Sequence, residues 1–426
     1  MGHAAAPGCE PLRILIVTWA WPPVGRVGAL RPMGMAREWL RAGHEVHVLT
    51  GPGDRGGEPS PDLLPASEEI PVVLHRAQAP GVPLPVSRIQ AAARPPESAR
   101  RISRTRQILG QWKGFPDLQR SWIRPAVSVA RTAHAATPFD IVWSTSPPES
   151  VHFVARALAQ QGVPWVGDFR DQWSEYLLAR WDPLSRGLID VITAWTLRPA
   201  AAIMANTDGV ADSISRASRR RVSCVRNGFD PTPNAGRPPL ARTLGYFGRI
   251  DPLMQRPERL WPALRHALAQ GRPWSAQFYL TRGGSGGLDT LRLPADLRSV
   301  VQMRTPLPHP EAQQRMQEMT ALLILGWEAH CGKAAVGGKL YEYIGAARPV
   351  LVCAPSTYEA RKLVEDSGTG VGAWSDEELM AALLRLERWT LRREGRLRFG
   401  REAQARLALD VFEDVRLTRP RSRPAT

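Results

Sequence analysis

A lysine and a glutamate three residues apart carry the most informative chemistry in this sequence. Lys339 and Glu342 lie in the segment Gly-Lys-Leu-Tyr-Glu-Tyr, which starts at Gly338. Residues three apart on a helix are neighbours on one face, so both side chains can contact one ligand. The N-terminus of a helix presents free N–H groups and a positive dipole end to a phosphate, and a carboxylate one turn later suits a sugar diol. The segment therefore predicts a pocket for a nucleotide sugar.

Polar side chains also follow two other predicted strands. Asp140–Ser144 and Trp165–Asp168 each read as a short apolar strand that ends in a polar turn. In an open α/β sheet, ligands bind at the carboxyl ends of the strands, so we expect these side chains on the ligand side. The candidates on the ligand side are Ser144, Thr145, Ser146, Arg170 and Asp171, and Asp168 is a catalytic candidate. For Asp168, Arg170 and Asp171, the alternative is a salt bridge that ties the loops together.

The elements around these candidates alternate between strand and helix along the chain. Arg13–Thr18 and Glu45–Thr50 predict strands joined by a loop and a helix, which is typical of a doubly wound parallel sheet. The loop lacks a Gly-x-Gly-x-x-Gly pattern, so we expect no nicotinamide or other cofactor. The alternation resumes after residue 243, and the whole pattern predicts an α/β protein with two Rossmann-like doubly wound parallel-sheet domains.

Stretches rich in proline and glycine set the predicted domain boundaries. The predicted parts are an N-terminal domain at 1–230, a linker at 231–242, a C-terminal domain at 243–410 and a tail at 411–426. Residues 52–116 form an irregular basic insertion in the first domain, and Arg88–Arg106 within it is rich in arginine. This insertion either lies near the acceptor or is a solvated arginine run.

Composition narrows the class of protein. The chain has 426 residues, a formal net charge of +16 and 43% hydrophobic residues, which favours a globular protein of about two domains. No apolar run is long enough to span a bilayer and no signal peptide is evident, so we predict a cytoplasmic location. The four cysteines show no metal-ligand spacing. The positive field would attract anionic ligands and leaves open a peripheral contact with the inner face of an anionic membrane.

Three segments resemble glycosyltransferase family 4. The helix that starts at Gly338 is similar to the donor-site helix of that family, and the match extends to Arg348-Pro349. Asp140–Ser150 and Trp165–Trp173 are similar to a bacterial family pattern that contains Trp-Ser-Thr-Ser-Pro-Pro-Glu-Ser and Asp-Phe-Arg-Asp. The resemblance implies a GT-B fold, in which two domains face a cleft. It also implies a retaining enzyme that binds its donor mainly on the second domain and its acceptor on the first.

The resemblance assigns further residues to the donor. Arg249 matches the first member of a basic pair that holds the diphosphate, whereas the second is Gln255 here, so Arg256 is the substitute. Many members carry another acid where this chain has Ala334, so sugar contacts are expected from the loop before the helix. The donor-binding candidates are Gly25, Gly28, Gly338, Glu342, Trp327 and Glu328, with His330 on the same loop as the last two. The catalytic candidates are Arg249, Arg256, Lys339 and Asp168.

These observations predict a retaining, metal-independent glycosyltransferase. It would move a sugar from a UDP, GDP or dTDP sugar to a hydroxyl of a saccharide, lipid-linked or natural-product acceptor. No Asp-x-Asp triplet occurs in the chain, and basic side chains can stabilise a departing diphosphate in place of a metal. One alternative is a basic protein that binds an anionic surface or nucleic acid on a catalytically silent GT-B scaffold; nucleic acid is not expected, because no recognition module is visible. The other is a nucleotide-sugar 2-epimerase.

Overall fold

The chain divides into two units in a computed structural model of the protein. Unit 1 comprises residues 1–226 and 404–426, and unit 2 comprises residues 227–403. The structure describes residues 10–23, 27–53, 70–79, 115–173, 183–230, 239–250, 255–280, 293–326, 336–389 and 393–418.

Unit 1 contains a seven-stranded, wholly parallel sheet. Its strands are β1 (Arg13–Val17), β2 (Glu45–Thr50), β3 (Val73–Arg76), β4 (Ile141–Ser146), β5 (Trp165–Phe169), β6 (Ala202–Ala205) and β7 (Ser223–Cys224). The spatial order is β3-β2-β1-β4-β5-β6-β7, so the direction of chain progress reverses between β1 and β4. Five of these strands are almost continuously buried, as expected for a parallel sheet covered on both faces.

Within the described residues of unit 1, five helices connect the strands. They are α1 (Leu30–Arg41), α2 (Ile123–Ala136), α3 (Ser150–Ala159), α4 (Pro183–Leu197) and α5 (Asp208–Ser218). Helix α2 begins later than the predicted start at Leu118, because a 3-10 turn at Arg120–Trp122 precedes it. Helix α4 was not predicted. Its apolar residues are not confined to one stripe, so its sequence lacks the usual amphipathic pattern.

Unit 2 repeats the same topology with six parallel strands. They are β8 (Thr243–Gly248), β9 (Ser275–Leu280), β10 (Val301–Arg304), β11 (Ala321–Leu325), β12 (Val350–Cys353) and β13 (Gly370–Ala373), in the order β10-β9-β8-β11-β12-β13. The predicted fold class, two Rossmann-like doubly wound parallel-sheet domains, is therefore confirmed.

Strand β13 was missed because two of its four residues are glycines, which are depleted in strands. The packing explains them. A Cβ on Gly370 would lie 2.1 Å from the Val350 carbonyl oxygen, and one on Gly372 would lie 2.0 Å from Cγ of Arg361. Close neighbours therefore require glycine at both positions.

The helices of unit 2 lie between and after its strands. They are α6 (Trp261–Ala269), α7 (His309–Gln317), α8 (Gly338–Gly345), α9 (Glu359–Ser367), α10 (Asp376–Leu386), α11 (Arg393–Leu397) and the start of α12 (Arg401–Leu417). Helix α10 begins with a capping box, in which Ser375 and Glu378 each accept a hydrogen bond from the other's backbone N–H.

The C-terminal residues differ from the predicted tail at 411–426. Most of α12 packs in the core of unit 1, where Ala408 and Phe412 are buried and the Phe412 ring lies 5.1 Å from the Trp39 ring between centroids. The Trp39 indole N–H also donates to the Ala405 carbonyl oxygen at 3.2 Å. The sequence separation of these partners exceeds 360 residues, so no local pattern could assign the helix to the first unit.

We predict that Phe412→Ala destabilises unit 1 by about 3–5 kcal/mol, because it leaves a cavity beside Trp39. Hydrogen exchange should accelerate in peptides from α1 and β1, with no change in β8 or β9. Leu417→Ala is the matched control, because Leu417 is 72% exposed on the same helix and its loss should change stability by less than about 0.5 kcal/mol. Unchanged exchange in unit 1 would show that α12 does not support its core.

Candidate functional site

The two strands at the reversal point of unit 2 separate toward their carboxyl ends. Strands β8 and β11 pair only through Leu244 and Gly245, at the start of each strand. Beyond them, the Phe247 N–H donates to the hydroxyl of Tyr343 at 2.8 Å, instead of to a β11 carbonyl. Tyr343 is wholly buried on α8, and burial raises its pKa well above the ordinary value. A tyrosine side chain thus satisfies a backbone N–H of β8 beyond the point where β8 and β11 pair, at the end of the sheet where α/β proteins bind ligands.

Lys339 lies at the carboxyl end of β8. Its ammonium nitrogen is 4.0 Å from the centroid of the Tyr246 ring, a cation–π contact. Gly248 has a φ of +123°, and a Cβ there would lie 2.8 Å from the Lys339 Nζ. Gly248 is therefore needed both for its backbone conformation and for the space that the ammonium occupies.

The Lys339 ammonium is perturbed by its surroundings. Burial lowers its pKa from the ordinary value to about 8, the Glu342 carboxylate opposes this effect, and the positive charge of Arg249 adds to it. Because burial and the Arg249 charge both disfavour the charged form, an anion placed beside Lys339 would raise its pKa again.

Glu342 lies one turn along α8, as the spacing predicts. Its side chain is 29% exposed, and its Oε1 lies 3.3 Å from the Nε2 of His309, the first residue of α7. The N-terminus of α8 is open: Gly337 provides no side-chain cap, and a Cβ on Gly337 or Gly338 would meet nothing within 4 Å. Free helix N–H groups, an ammonium and a carboxylate therefore occur on one short helix.

The predicted basic pair is only partly reproduced at this end of the sheet. Arg249 directly follows β8 and is half-buried, and no salt bridge of its guanidinium or of Lys339 occurs within the described ranges. Gln255 donates to the Leu325 carbonyl oxygen at 3.0 Å, so it lies at the end of β11 where the family has a lysine. Arg256 is exposed and immediately precedes the 3-10 turn Pro257–Leu260.

Asp168 in unit 1 is not exposed to a ligand, contrary to its prediction as a catalytic residue. Its carboxylate receives two hydrogen bonds from Arg31, at 2.6 Å and 2.9 Å, and one from the Thr145 hydroxyl at 2.7 Å. Asp168 is 0% exposed and Arg31 is 2% exposed. Arg31 also donates to the carbonyls of Val225 and Arg226. The salt-bridge alternative therefore describes Asp168, because its acceptor positions are filled by protein groups.

The three predicted acceptor-side hydroxyl residues are buried as well. Thr145 is held by Asp168, and the Ser144 hydroxyl accepts from the Trp165 indole N–H at 2.7 Å and lies 2.8 Å from the Nδ1 of His152. Burial lowers the pKa of His152 to about 3, so its imidazole is neutral at pH 7. The Ser146 side chain is 1% exposed. These residues build the carboxyl end of the sheet from inside and present no hydroxyl at its surface.

Arg170 ties two loops together. Its guanidinium donates to the carbonyl oxygens of Gly28 at 2.7 Å, Ser146 at 2.8 Å and Pro147 at 2.9 Å. A Cβ on Gly28 would lie 3.3 Å from the Arg170 Nη1, so glycine permits this close approach. Asp171 is half-buried beyond the end of β5. Gly28 and Arg170 thus shape the loop that was predicted to approach a diphosphate.

Some candidates lie outside the described residues. These are Gly25, Trp327, Glu328, His330 and Arg88–Arg106. Their predicted roles remain predictions.

Sequence reasoning missed Tyr343 and His309. Tyr343 lies on the apolar face of α8, and a buried tyrosine requires a hydrogen-bond partner, which is a usable signal. Its partner lies 96 residues away, so the signal could not identify Phe247. His309 gave no signal, because its contact with Glu342 depends on how α7 and α8 pack.

A groove of about 720 Å³ in unit 2 is not the candidate site. Its lining includes Gly370, the first residue of β13, together with Arg272, Glu387 and Trp389. It therefore lies at the opposite end of the sheet from Lys339. Glu387 forms ion pairs with Arg272, which also lines the groove, and with Arg242.

The described residues contain neither a cluster of metal-ligating side chains nor a helix that could cross a membrane. No group of three or more histidine, cysteine, aspartate or glutamate side chains is arranged to hold a metal ion in the described ranges. Likewise, none of the helices described is long and apolar enough to cross a membrane.

The fold and the matched segment define the class of protein. The fold is that of GT-B glycosyltransferases. Residues 29–228 match the glycosyl transferase 4-like domain, which confirms the resemblance to glycosyltransferase family 4 over that part of the chain. No curated protein matches the chain in sequence.

Solved structures support the fold over nearly the whole chain. Sucrose-phosphate synthase from Thermosynechococcus elongatus is 16% identical with a TM-score of 0.58, over 96% of this chain and 100% of that one. A glycosyltransferase from Rickettsia africae is 11% identical with a TM-score of 0.60, over the same shares. The UDP-GlcNAc 2-epimerase from Neisseria meningitidis, solved with UDP-GlcNAc, is 11% identical with a TM-score of 0.52, over 95% and 100%. At these identities the likeness concerns the fold alone.

We predict that Asp168→Ala lowers the free energy of unfolding of unit 1 by about 3–5 kcal/mol, because it leaves the buried Arg31 guanidinium without its counterion. Asp208→Ala is the matched control. It removes a carboxylate that is 62% exposed in an ion pair with Arg226, and should cost about 1 kcal/mol or less. Chemical denaturation measures both. A fully stable Asp168→Ala protein that has lost activity would instead restore a catalytic role to Asp168.

Proposed function

We propose that the protein is a retaining, metal-independent glycosyltransferase that uses a nucleotide diphosphate sugar. The observation that supports this best is the perturbed Lys339 ammonium in the crevice between β8 and β11, beside the open N-terminus of α8 and one turn from Glu342. A diphosphate supplies the anion that this arrangement lacks, and a ribose or hexose supplies a diol for the Glu342 carboxylate.

Each group of the site has a distinct task in this proposal. The N–H groups at Gly338 and Lys339 and the Lys339 ammonium bind phosphate oxygens. Arg249 at the end of β8 and the exposed Arg256 add the two guanidinium groups, whose planar donors suit phosphate. Glu342 accepts hydrogen bonds from sugar hydroxyls, and His309 positions its carboxylate. Trp327 and Glu328 are proposed as further donor contacts.

The positive side chains of the site stabilise the diphosphate as it leaves the sugar. The bond between the anomeric carbon and the β-phosphate oxygen breaks, and its electron pair goes to the departing diphosphate. Lys339, Arg249 and Arg256 stabilise that developing negative charge, as preorganised cations do in other transfer sites. The acceptor hydroxyl oxygen bonds to the anomeric carbon from the same face, and its proton passes to the leaving phosphate. No protein nucleophile is required, and the configuration is retained.

The acceptor is a hydroxyl of a saccharide, lipid-linked or natural-product molecule. The buried Ser144, Thr145, Ser146 and Asp168 do not contact it in this proposal, because they are enclosed in the sheet. The second candidate function is a nucleotide-sugar 2-epimerase, which is favoured by the structural similarity to such an enzyme. An epimerase converts the donor without an acceptor, so the two functions are separable by experiment.

The test uses a panel of UDP, GDP and dTDP sugars with the full chain. We expect at least one nucleoside diphosphate to raise the melting temperature by linkage of binding to folding. The sugar donor with the same nucleotide should then be consumed only when an acceptor is present. This consumption should continue in excess chelator. No stabilisation by any member at millimolar concentration would reject the donor site. Epimerised donor without acceptor would establish the second candidate, and complete loss of transfer with EDTA would reject the metal-independent mechanism.

We predict that donor affinity falls as pH rises past the Lys339 pKa. Lys339 titrates near 8 in the free protein, and a bound diphosphate raises that pKa, so binding takes up a proton above pH 8. The affinity should be about tenfold weaker at pH 9 than at pH 7. Calorimetry in buffers of different ionisation enthalpy measures both the affinity and the proton uptake.

Lys339→Arg is the matched variant for this measurement. A guanidinium stays charged throughout this pH range, so the variant should bind with little pH dependence and no proton uptake. Lys339→Ala should bind at least about tenfold more weakly at pH 7. Equal pH dependence in the wild type and in Lys339→Arg would show that Lys339 does not contact the diphosphate.

A further inference from the structure

The outward face of helix α4 in unit 1 is apolar. Leu188, Val191 and Trp195 are 48%, 64% and 52% exposed, and their spacing of three and four residues places them in one stripe along the helix. The opposite face carries the buried residues Ile189, Thr193 and Leu197, which pack into unit 1. We call the three exposed side chains the α4 stripe. Exposed aliphatic and aromatic side chains that form a contiguous stripe mark an interaction surface.

Arginines surround the C-terminal end of the α4 stripe. The Arg156 guanidinium lies 3.9 Å from the centroid of the Trp195 ring and donates to the Trp195 carbonyl oxygen at 2.7 Å. Arg220 donates to the carbonyls of Leu197 and Ala200, directly after the helix. Helix α5 packs against α4, and its end lies near the end of α4, because Arg220 lies just after α5. The six arginines of this region, called here the α4–α5 arginine cluster, are Arg156, Arg198, Arg216, Arg219, Arg220 and Arg221.

This cluster is not neutralised by its neighbours. None of its arginines forms a salt bridge with a carboxylate of the described residues. Arg198, Arg216, Arg219 and Arg221 are exposed, whereas helices α4 and α5 carry three acids, Asp190, Asp208 and Asp212. The nearby Asp208 already pairs with Arg226 at 2.8 Å. The surface therefore combines an apolar stripe with a local excess of positive charge.

We propose that the α4 stripe and the α4–α5 arginine cluster form a docking surface for an anionic lipid bilayer. A helix that lies in the membrane interface buries an apolar face at the boundary of headgroups and acyl chains and places arginines among the phosphates. Tryptophan is favoured at that depth because its ring is apolar and its N–H is polar. Helix α4 has 15 residues, about 22 Å of axis, which suits an in-plane contact.

Charge favours the bilayer over two other occupants. A second copy of this chain carries the same net charge of +16, so like charges would oppose docking of one copy on another. Nucleic acid would match the arginines, but the aliphatic Leu188 and Val191 offer it neither stacking nor hydrogen bonds. An anionic membrane matches both parts of the surface. The inference is independent of the proposed glycosyl transfer.

Docking through α4 leaves the ligand end of the unit 1 sheet free. Helix α4 lies between β5 and β6 in the chain, so it runs from the carboxyl end of the sheet to its amino end along one face. A membrane on that face contacts the side of the sheet, beside the ends of β4 and β5 and not over them.

Vesicle flotation tests the proposal with the full-length protein. Vesicles of phosphatidylcholine with roughly one-third phosphatidylglycerol should bind the wild type, and phosphatidylcholine vesicles should bind it at least about tenfold more weakly. Leu188→Gln, Val191→Gln and Trp195→Gln combined should weaken binding to the anionic vesicles at least about tenfold. Arg198→Ser, Arg219→Asn and Arg221→Ser combined should weaken it roughly 100-fold, since each arginine near the surface contributes about fivefold.

Two matched controls separate this surface from general properties of the chain. Leu268→Gln, Leu384→Gln and Leu417→Gln remove three exposed apolar side chains elsewhere, and Arg298→Ser, Arg304→Ser and Arg388→Ser remove three exposed charges from unit 2. Both controls should bind vesicles within about twofold of the wild type. Thermal melting confirms that each variant is folded.

Four outcomes would overturn the proposal. In the first two, the wild type binds neutral and anionic vesicles equally, or the α4 stripe variant binds anionic vesicles as well as the wild type does. In the other two, the arginine control loses as much vesicle binding as the cluster variant, or inorganic phosphate at headgroup concentration displaces the wild type from vesicles. Light scattering tests whether a second copy of the chain occupies the α4 stripe instead. A wild-type dimer that Val191→Asp converts to a monomer would assign the stripe to a second copy of the chain instead.

Discussion

The buried ion pair between Arg31 and Asp168 is the interaction on which the carboxyl end of unit 1 depends. It joins α1 to β5, reaches β4 through Thr145, and reaches the end of β7 through two backbone carbonyls. Removing two charges from water is costly unless the geometry is bidentate and the remaining donors are satisfied. Both conditions hold here, so one polar cluster defines how four elements meet at the place where doubly wound sheets bind ligands.

Unit 2 has the same strand order but the opposite electrostatic arrangement at its carboxyl end. The Lys339 ammonium lies against the ring of Tyr246. Burial and the positive charge of Arg249 both lower the pKa of Lys339. Tyr343 accepts the Phe247 N–H beyond the two residues through which β8 and β11 pair. At this end of its sheet, unit 1 pairs Arg31 with Asp168, whereas unit 2 carries the ammonium of Lys339 and the guanidinium of Arg249. The shared fold therefore does not determine the function, which resides in these few side chains.

Arginine serves three different physical purposes in this chain, and the net charge of +16 does not distinguish among them. Arg31 is buried in an ion pair, and Arg170 holds three backbone carbonyls of two loops. The arginines beside α4 are exposed beside an apolar stripe. Of these three groups, the exposed arginines contribute most to a field that reaches solvent and anionic surfaces, because the charge of Arg31 is buried and paired with Asp168.

The sequence alone determined every strand except β13, the two-domain architecture and the position of helix α8. Apolar runs such as those of β2 and β11 identify buried strands without knowledge of their neighbours, and the spacing of Lys339 and Glu342 is local to one helix. Tertiary structure alone decided that Asp168 contacts Arg31, 137 residues away, and not a ligand. It likewise placed α12 in unit 1 and brought Tyr343 to Phe247. The reason is physical: local periodicity reports which residues are buried, whereas the partner of a buried charge or hydroxyl depends on long-range packing.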